Sequence, residues 1–248
     1  MKVSIVTVVF NCFDFIGPCI ESVVSQDYLD IEYIMVDGGS VDGTVSVIKK
    51  YMDNIDHFIS DQDLGMYDAL NKGIGMATGD LVGILNADDR LASVDVISSV
   101  VDCFRNMGCE AVYGNLKFIK RDKDCSITRN WKSKPYTPND FLYGWMPPHP
   151  TLYVERSILY AAGRYSLKFG TCADYDMILR LLYKNRVKAV FLDKLMVIMR
   201  KGGMSNGSVK KIVSAIINDY RVLVHNEIPN PLIALMLKKV RKLNQFFN

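Results

Sequence analysis

Leu81-Val82-Gly83-Ile84-Leu85-Asn86-Ala87-Asp88-Asp89 is a short apolar run that ends in an amide and two carboxylates. An apolar run of this length reads as a buried strand, and a strand covered on both faces belongs in a parallel sheet flanked by helices. The chain upstream has the same rhythm. Residues 3–10, Val3-Ser4-Ile5-Val6-Thr7-Val8-Val9-Phe10, form a β-rich run closed by a polar turn at Asn11 to Asp14, and Ile16 to Ser25 then places Ile20, Val23 and Val24 at helical spacing. Tyr33-Ile34-Met35-Val36 ends in Asp37-Gly38-Gly39-Ser40-Val41-Asp42-Gly43-Thr44 before a helical stretch from Val45 to Tyr51. His57 to Ser60 is a third strand and Tyr67 to Ala77 a third helix, so Leu81 to Leu85 is the fourth strand of a β-α alternation. That alternation predicts an α/β fold, Rossmann-like, with a mostly parallel central sheet and helices on both faces.

In such sheets ligands bind beyond the carboxyl ends of the strands. Asn11, Asp37, Asp61 and Asp88 each follow a strand, so topology brings one amide and three carboxylates to one rim. Any one of them alone reads as a helix cap or turn former, but the set predicts a site. Carboxylates held at a strand end can bind a hard divalent cation through oxygen and leave positions open for phosphate oxygens, which suits a diphosphate. Asp42, ahead of Gly43-Thr44, is assigned to turn and capping chemistry instead. The second half is less regular: strands at Ala111 to Gly114, Leu152 to Val154 and Ala189 to Leu192, a polar hairpin or loop from Asn115 to Lys134, and helices from Asp174 to Leu182 and Val209 to His225. Residues 1–228 are read as one domain, with the regular β-α half at 1–110 and an acceptor half at 111–228, followed by a basic amphipathic segment at 229–248.

The composition narrows the class. With 49% hydrophobic and 23% charged residues the chain matches an ordinary globular protein, and 248 residues can bury a sizeable core. A net charge of +3 without a basic stripe across the main body excludes nucleic acid as an expected partner. Cys12, Cys19, Cys103, Cys109, Cys125 and Cys172 form no pair or Cys/His cluster at zinc spacing and are expected as reduced structural thiols of a cytoplasmic protein. No uncharged apolar run approaches the roughly 20 residues of a membrane span, so none is predicted. The segment from Leu232 to Phe247 mixes apolar residues with a basic cluster and leaves two readings open. It is either an interfacial helix on an anionic inner leaflet or a terminal helix packed on the domain or on a second subunit. The oligomeric state is not legible.

The order of five stretches resembles the family 2 inverting glycosyltransferases, which have the GT-A fold. They are Ser4 to Asn11, Val36 to Thr44, Asp68-Ala69-Leu70-Asn71-Lys72-Gly73, Asn86-Ala87-Asp88-Asp89 and Ala173-Asp174-Tyr175-Asp176. Gly65-Met66-Tyr67-Asp68-Ala69 and Arg200-Lys201-Gly202-Gly203-Met204-Ser205 are similar to the bacterial polysaccharide and colanic-acid type members. The resemblance implies transfer of a sugar from a UDP- or GDP-sugar donor to a saccharide or lipid-linked saccharide acceptor, with Mn²⁺ or Mg²⁺ as cofactor. It brings Thr7, Asn11, Asp37, Asp61, Lys72, Asn86, Asp88, Asp89 and Arg200 to the donor, with Asp37 and Asp61 at the nucleoside. The family's metal motif usually opens with an acid; Asn86 there keeps a carbonyl but removes a charge, which leaves Asp88 as the metal ligand. The family's general base matches Asp174, with Ala173 replacing a Glu, while Asp176 and His149 are implied on the acceptor side. Two other enzyme classes are disfavoured: a sugar-phosphate nucleotidyltransferase would carry a Gly-rich phosphate loop after the first strand, and a dinucleotide oxidoreductase a GxGxxG. A catalytically silent sugar-nucleotide binding module would not need both Asp88 and Asp174.

Overall fold

The computed structural model of the protein describes residues 1–121, 126–202 and 209–244. In chain order the elements are β1 (Val3–Val9), α1 (Phe13–Val24), β2 (Ile31–Asp37), α2 (Thr44–Ile48), β3 (His57–Ser60), α3 (Met66–Met76), β4 (Leu81–Asn86), β5 (Arg90–Leu91), α4 (Val96–Met107), β6 (Ala111–Ile119), β7 (Ile127–Trp131), β8 (Tyr153–Glu155), α5 (Arg156–Ala162), α6 (Ala173–Ile178), β9 (Ala189–Arg200), α7 (Val209–His225) and α8 (Pro231–Asn244). Short 3-10 turns lie at Pro138–Tyr143, His149–Thr151 and Leu167–Cys172, and α6 continues as a π turn over Leu179–Lys184.

The strands join one sheet in the order β3-β2-β1-β4-β8-β6-β9-β5, with β7 paired to β6. β1 lies between β2 and β4, parallel to both, and all seven of its residues are buried. Its alternating side chains feed two cores. Val6 joins α3, α5, α6, α7 and α8 through residues such as Leu70, Leu159, Ile178, Val222 and Ala234, whereas Ile5 joins α1 and α4 through Ile20, Val100 and Phe104.

β8 is antiparallel to both β4 and β6, an insertion that the β-α rhythm of the first half did not contain. Two reversals restore the original direction, so β6 and its parallel neighbour β9 end at the same edge as β1, β2 and β4. β6 and β9 both run past the residues expected of them, because each is paired along nearly its whole length and its outward polar residues need no core. Gly83 permits the tight contact of β4 with β8: a Cβ there would stand 2.2 Å from the Tyr153 ring.

A buried acid staples the amino-terminal strands. Glu32 on β2 accepts from Ser4 Oγ at 2.5 Å, from Thr78 N at 2.8 Å and from Lys2 Nζ at 2.9 Å. Burial opposes its charge, but these donors outweigh it and pull the carboxyl down to about 2. A depressed carboxylate stabilises the fold above its unfolded pKa, and that contribution is lost as pH falls through the folded value. Glu32→Gln is therefore expected to destabilise the protein by on the order of 2 kcal/mol at pH 7 and by progressively less between pH 4.5 and pH 2, as read from urea midpoints across that range.

The carboxyl-terminal segment packs on the body through one side of α8. Ala234 and Leu235 are buried, and Gly144 admits the α8 backbone so closely that a Cβ would stand 2.3 Å from Lys238 N. Lys238 and Lys239 both reach Asp219 of α7, at 2.6 and 2.7 Å, and Arg241 Nε donates to the Tyr143 carbonyl at 2.9 Å. Among the described residues no helix is long and apolar enough to cross a membrane, and the described cysteines are free.

Candidate active site

The rim forms where β1, β2, β4, β6 and β9 end. Its first wall is the loop after β2. Asp37 is fully buried, and its Oδ2 accepts from Gly39 N at 3.1 Å, Ser40 N at 3.0 Å and Ser60 Oγ at 2.7 Å. Gly39 has a φ of 83°, a conformation that a side chain would strain, so glycine is required for the turn that wraps the carboxylate. Asn11, itself at φ 47°, ties the first strand to that loop: its Oδ1 accepts from Val41 N at 3.0 Å and its N donates to Ser40 Oγ at 2.8 Å. Asp42 accepts from Thr44 N at 3.0 Å and from Phe13 N at 3.1 Å, the turn role assigned to it from sequence.

The second wall is the acidic end of β4. Asp89 is turned inward, accepting from Asn86 Nδ2 at 2.9 Å and from the Arg200 backbone N at 3.1 Å. Burial, followed by the charge of Asp88, pushes its carboxyl above the usual carboxylate range, against the pull of Asn86 and Arg200. Asp88 points the other way and accepts from Arg121 Nη2 at 3.0 Å. Arg121 also donates to the Gly202 carbonyl at 3.3 Å, and its guanidinium stands 4.8 Å from the centre of the Phe15 ring on α1. Arg200 stands over the same ring at 4.7 Å. Two permanent cations and one carboxylate thus line this end of the rim, a surface suited to a diphosphate.

The third wall begins where α6 starts. Asp174 occupies the first turn of α6, half-buried, with Oδ1 accepting from Tyr175 N at 2.7 Å. Around it are Tyr67, Tyr165 and His149. Tyr67 donates to the Thr171 carbonyl at 3.2 Å and stacks on Tyr165 at 5.6 Å, and Tyr165 Oη bonds His149 Nε2 at 2.7 Å. Burial holds the His149 pKa below its ordinary value, against the opposing charge of Asp174, which keeps the imidazole neutral at physiological pH. Tyr67 opens α3 directly after the loop that follows β3, and the His149–Thr151 turn leads into β8, which pairs with β4.

Several residues named from sequence stand elsewhere than expected. Thr7 is fully buried in β1 and bonds Tyr33 Oη at 3.2 Å; it is a core residue and has no surface to offer a donor. Asp37 likewise folds its loop and exposes no edge, although its Oδ1 is a buried acceptor with no partner among the described residues. Asp63 packs against the neighbouring Gly38, its Oδ2 lying 2.5 Å from where a Gly38 Cβ would be. Asp61 is exposed at the rim. Lys72 reaches back to Asp68 at 3.3 Å and to the Gln62 carbonyl at 3.2 Å, on the loop that carries Asp61. Asp176 is buried with Arg180 at 2.9 Å and Asn226 at 2.9 Å, a structural network joining α6 to α7, and no acceptor can reach it. Of the loop that starts at Arg200, Gly203, Met204 and Ser205 lie outside the described residues. Arg121, Phe15 and Tyr165 went unnoticed in the sequence, since each sits in a stretch with no motif of its own. Only the pairing of β6 with β9 reveals where Arg121 arrives.

Comparison with known proteins agrees with this geometry. Residues 4–157 match the family model described as glycosyl transferase family 2. The chain is 33% identical over 180 residues to an uncharacterized glycosyltransferase of Mycobacterium tuberculosis, covering 72% of this chain and 68% of that protein. It is 27% identical over 213 residues to a PGL/p-HBAD biosynthesis glycosyltransferase of the same species, covering 84% of this chain and 80% of that one. The structure of S. aureus TarS residues 1–349 in complex with UDP-GlcNAc superposes with a TM-score of 0.68 at 15% identity, covering all of this chain and 73% of that one, and shares the GT-A arrangement of sheet and helices. The sheet with its single rim, the acidic end of β4 and the family match over more than half its length establish that the chain belongs to glycosyl transferase family 2 and is a glycosyltransferase.

Proposed function

We propose that this glycosyltransferase inverts the anomeric carbon while moving a sugar from a UDP- or GDP-sugar to a hydroxyl of a saccharide or lipid-linked saccharide in bacterial surface polysaccharide synthesis. The observation that carries the reading is a pair of groupings, Asp88 with Arg121 and Arg200 in one and Asp174 among uncharged aromatic groups in the other. A sugar between them has its leaving diphosphate toward fixed positive charge and its anomeric carbon open to attack from the opposite face.

Asp174 takes the proton of the acceptor hydroxyl as that oxygen bonds the anomeric carbon. The bond from that carbon to the diphosphate breaks in the same step, and its electron pair leaves with the nucleoside diphosphate. Neutral His149 holds Tyr165 against Tyr67 and so keeps the acceptor wall shaped and free of competing charge. Arg121 and Arg200 meet the charge that grows on the departing diphosphate.

The donor set suits a divalent cation that arrives with its substrate. Asp88 supplies a carboxylate that is 19% exposed, with Asn86 beside it, while no group of three or more His, Cys, Asp or Glu able to hold an ion exists among the described residues. One carboxylate plus phosphate oxygens is a common arrangement for Mg²⁺, and Mn²⁺ accepts the same ligands. Bound there, the ion would neutralise phosphate charge. Arg121 competes for the same Asp88 oxygen and has to swing away, which its exposed position allows.

Residues 1–110 supply the donor side and residues 111–228 the acceptor side, with Arg121 and Arg200 crossing back to the donor. The resemblance to a PGL/p-HBAD biosynthesis enzyme and to TarS with UDP-GlcNAc supports a glycoconjugate product and a nucleotide-sugar donor. A screen of UDP-, GDP- and TDP-sugars for released nucleoside diphosphate, with and without Mn²⁺, tests the reading. One UDP- or GDP-sugar is expected to be hydrolysed slowly in the presence of the ion; activity on none of them, with tight binding of a different ligand class, would reject it.

A further inference from the structure

We infer that α7 and α8 together form a docking face for an anionic lipid surface, a role separate from the rim and additional to the transfer reaction. Each helix spends one side on the protein: Asp219, Val222 and Leu223 of α7 are buried, as are Asn226 just after it and Ala234 and Leu235 of α8. The remaining sides carry aliphatic residues where a solvated helix would carry polar ones. On α7, Val213, Ile217 and Val224 recur at intervals of four and seven; on α8, Ile233, Met236 and Val240 recur at three and four. These six side chains are between 49% and 69% exposed. An apolar face of this extent on consecutive helices marks a contact surface rather than scattered exposure.

Charge selects the occupant. Residues 209–248 hold seven Lys and Arg against two Asp and Glu, a net +5, while the other 208 residues hold 23 against 25, a net −2. One of the two acids, Asp219, is already shared between Lys238 and Lys239. Positive charge is still crowded here: burial and then the charges of Arg129, Lys239 and Lys238 lower the Lys242 pKa, with Asp219 pulling the other way. A second copy docked through the same face would set one +5 segment against another. A leaflet containing anionic lipids accepts the apolar side chains among its acyl chains and answers the lysines with headgroup charge. The sequence pattern of the last segment left an interfacial helix and a packed helix both open; α8 has given one side to the protein, and α7 supplies three of the six outward aliphatic residues. A lipid-linked acceptor would be met at such a surface.

Flotation of the full chain with vesicles tests the inference. The protein is expected to rise with phosphatidylcholine vesicles containing phosphatidylglycerol, to stay down with phosphatidylcholine alone, and to be released in part by high salt. The double variant Ile217→Asp, Met236→Asp, which touches no rim residue, is expected to lose about tenfold or more in vesicle affinity with an unchanged melting temperature and unchanged nucleoside diphosphate binding. Equal binding to neutral and anionic vesicles would overturn the assignment, as would vesicle binding untouched by the double variant. A wild-type dimer in sedimentation that the variant converts to monomer, with no flotation by either, would assign the face to a second copy. Nucleotide binding reports on the rim alone, so failure here and failure of the transferase reading are separable.

Discussion

Asp174→Asn is expected to lower kcat by about 10³ to 10⁴ at saturating donor and acceptor, and to leave nucleoside diphosphate affinity within about twofold of wild type. The substitution keeps the size of the side chain and the oxygen that accepts from Tyr175 N, so α6 still starts at the same place. What it removes is the ability to take a proton. Asp174 lies among Tyr67, Tyr165 and His149 rather than beside Arg121 and Asp88, so the diphosphate loses none of its cations. Steady-state kinetics with calorimetry of nucleoside diphosphate binding separates the two effects. Turnover at the wild-type rate in Asp174→Asn would move the base to another residue.

Asp88→Asn is expected to weaken Mn²⁺ binding by about tenfold or more and to lower kcat/KM by about 10² to 10³, because it removes the one rim-facing carboxylate at the end of β4 while keeping its shape. Asp89 cannot replace it: it is buried and bonded to Asn86 and to the Arg200 backbone. The contrast with Arg121→Ala makes the result diagnostic. Without the guanidinium at 3.0 Å, Asp88 is free, and Mn²⁺ affinity in the absence of donor is expected to rise severalfold even though transfer slows. Paramagnetic resonance of free Mn²⁺ measures both variants without turnover. Equal ion affinity in wild type and Asp88→Asn, in folded protein that still binds nucleoside diphosphate, would remove the cation from Asp88.

Much of this was legible in the residues. Alternation of apolar runs with helical spacing is a local property, and it located β1, β2 and β4 to within a few residues because each is a mainly apolar run buried along nearly its whole length. The same strand ends named Asn11, Asp61 and Asp88 as rim residues. Spacing on one strand cannot report what lies across it. Thr7 and Asp37 match the donor side because they belong to recognisable stretches, yet Tyr33 takes up the Thr7 hydroxyl and the turn at Gly39-Ser40 takes up one oxygen of Asp37 in the interior. Asp176 misled for the same reason, since its partner Asn226 is 50 residues away.

The amino-acid sequence alone determined the α/β architecture, the family and the acidic end of β4, since each rests on patterns confined to a few consecutive residues. Tertiary structure decided which side chains share the rim. Arg121 reaches Asp88 only because β8 enters antiparallel between β4 and β6, which returns β6 to the direction of β4 and brings a residue 33 positions downstream to the same edge. Register between strands distant in sequence depends on packing of the whole sheet, and no local periodicity encodes it.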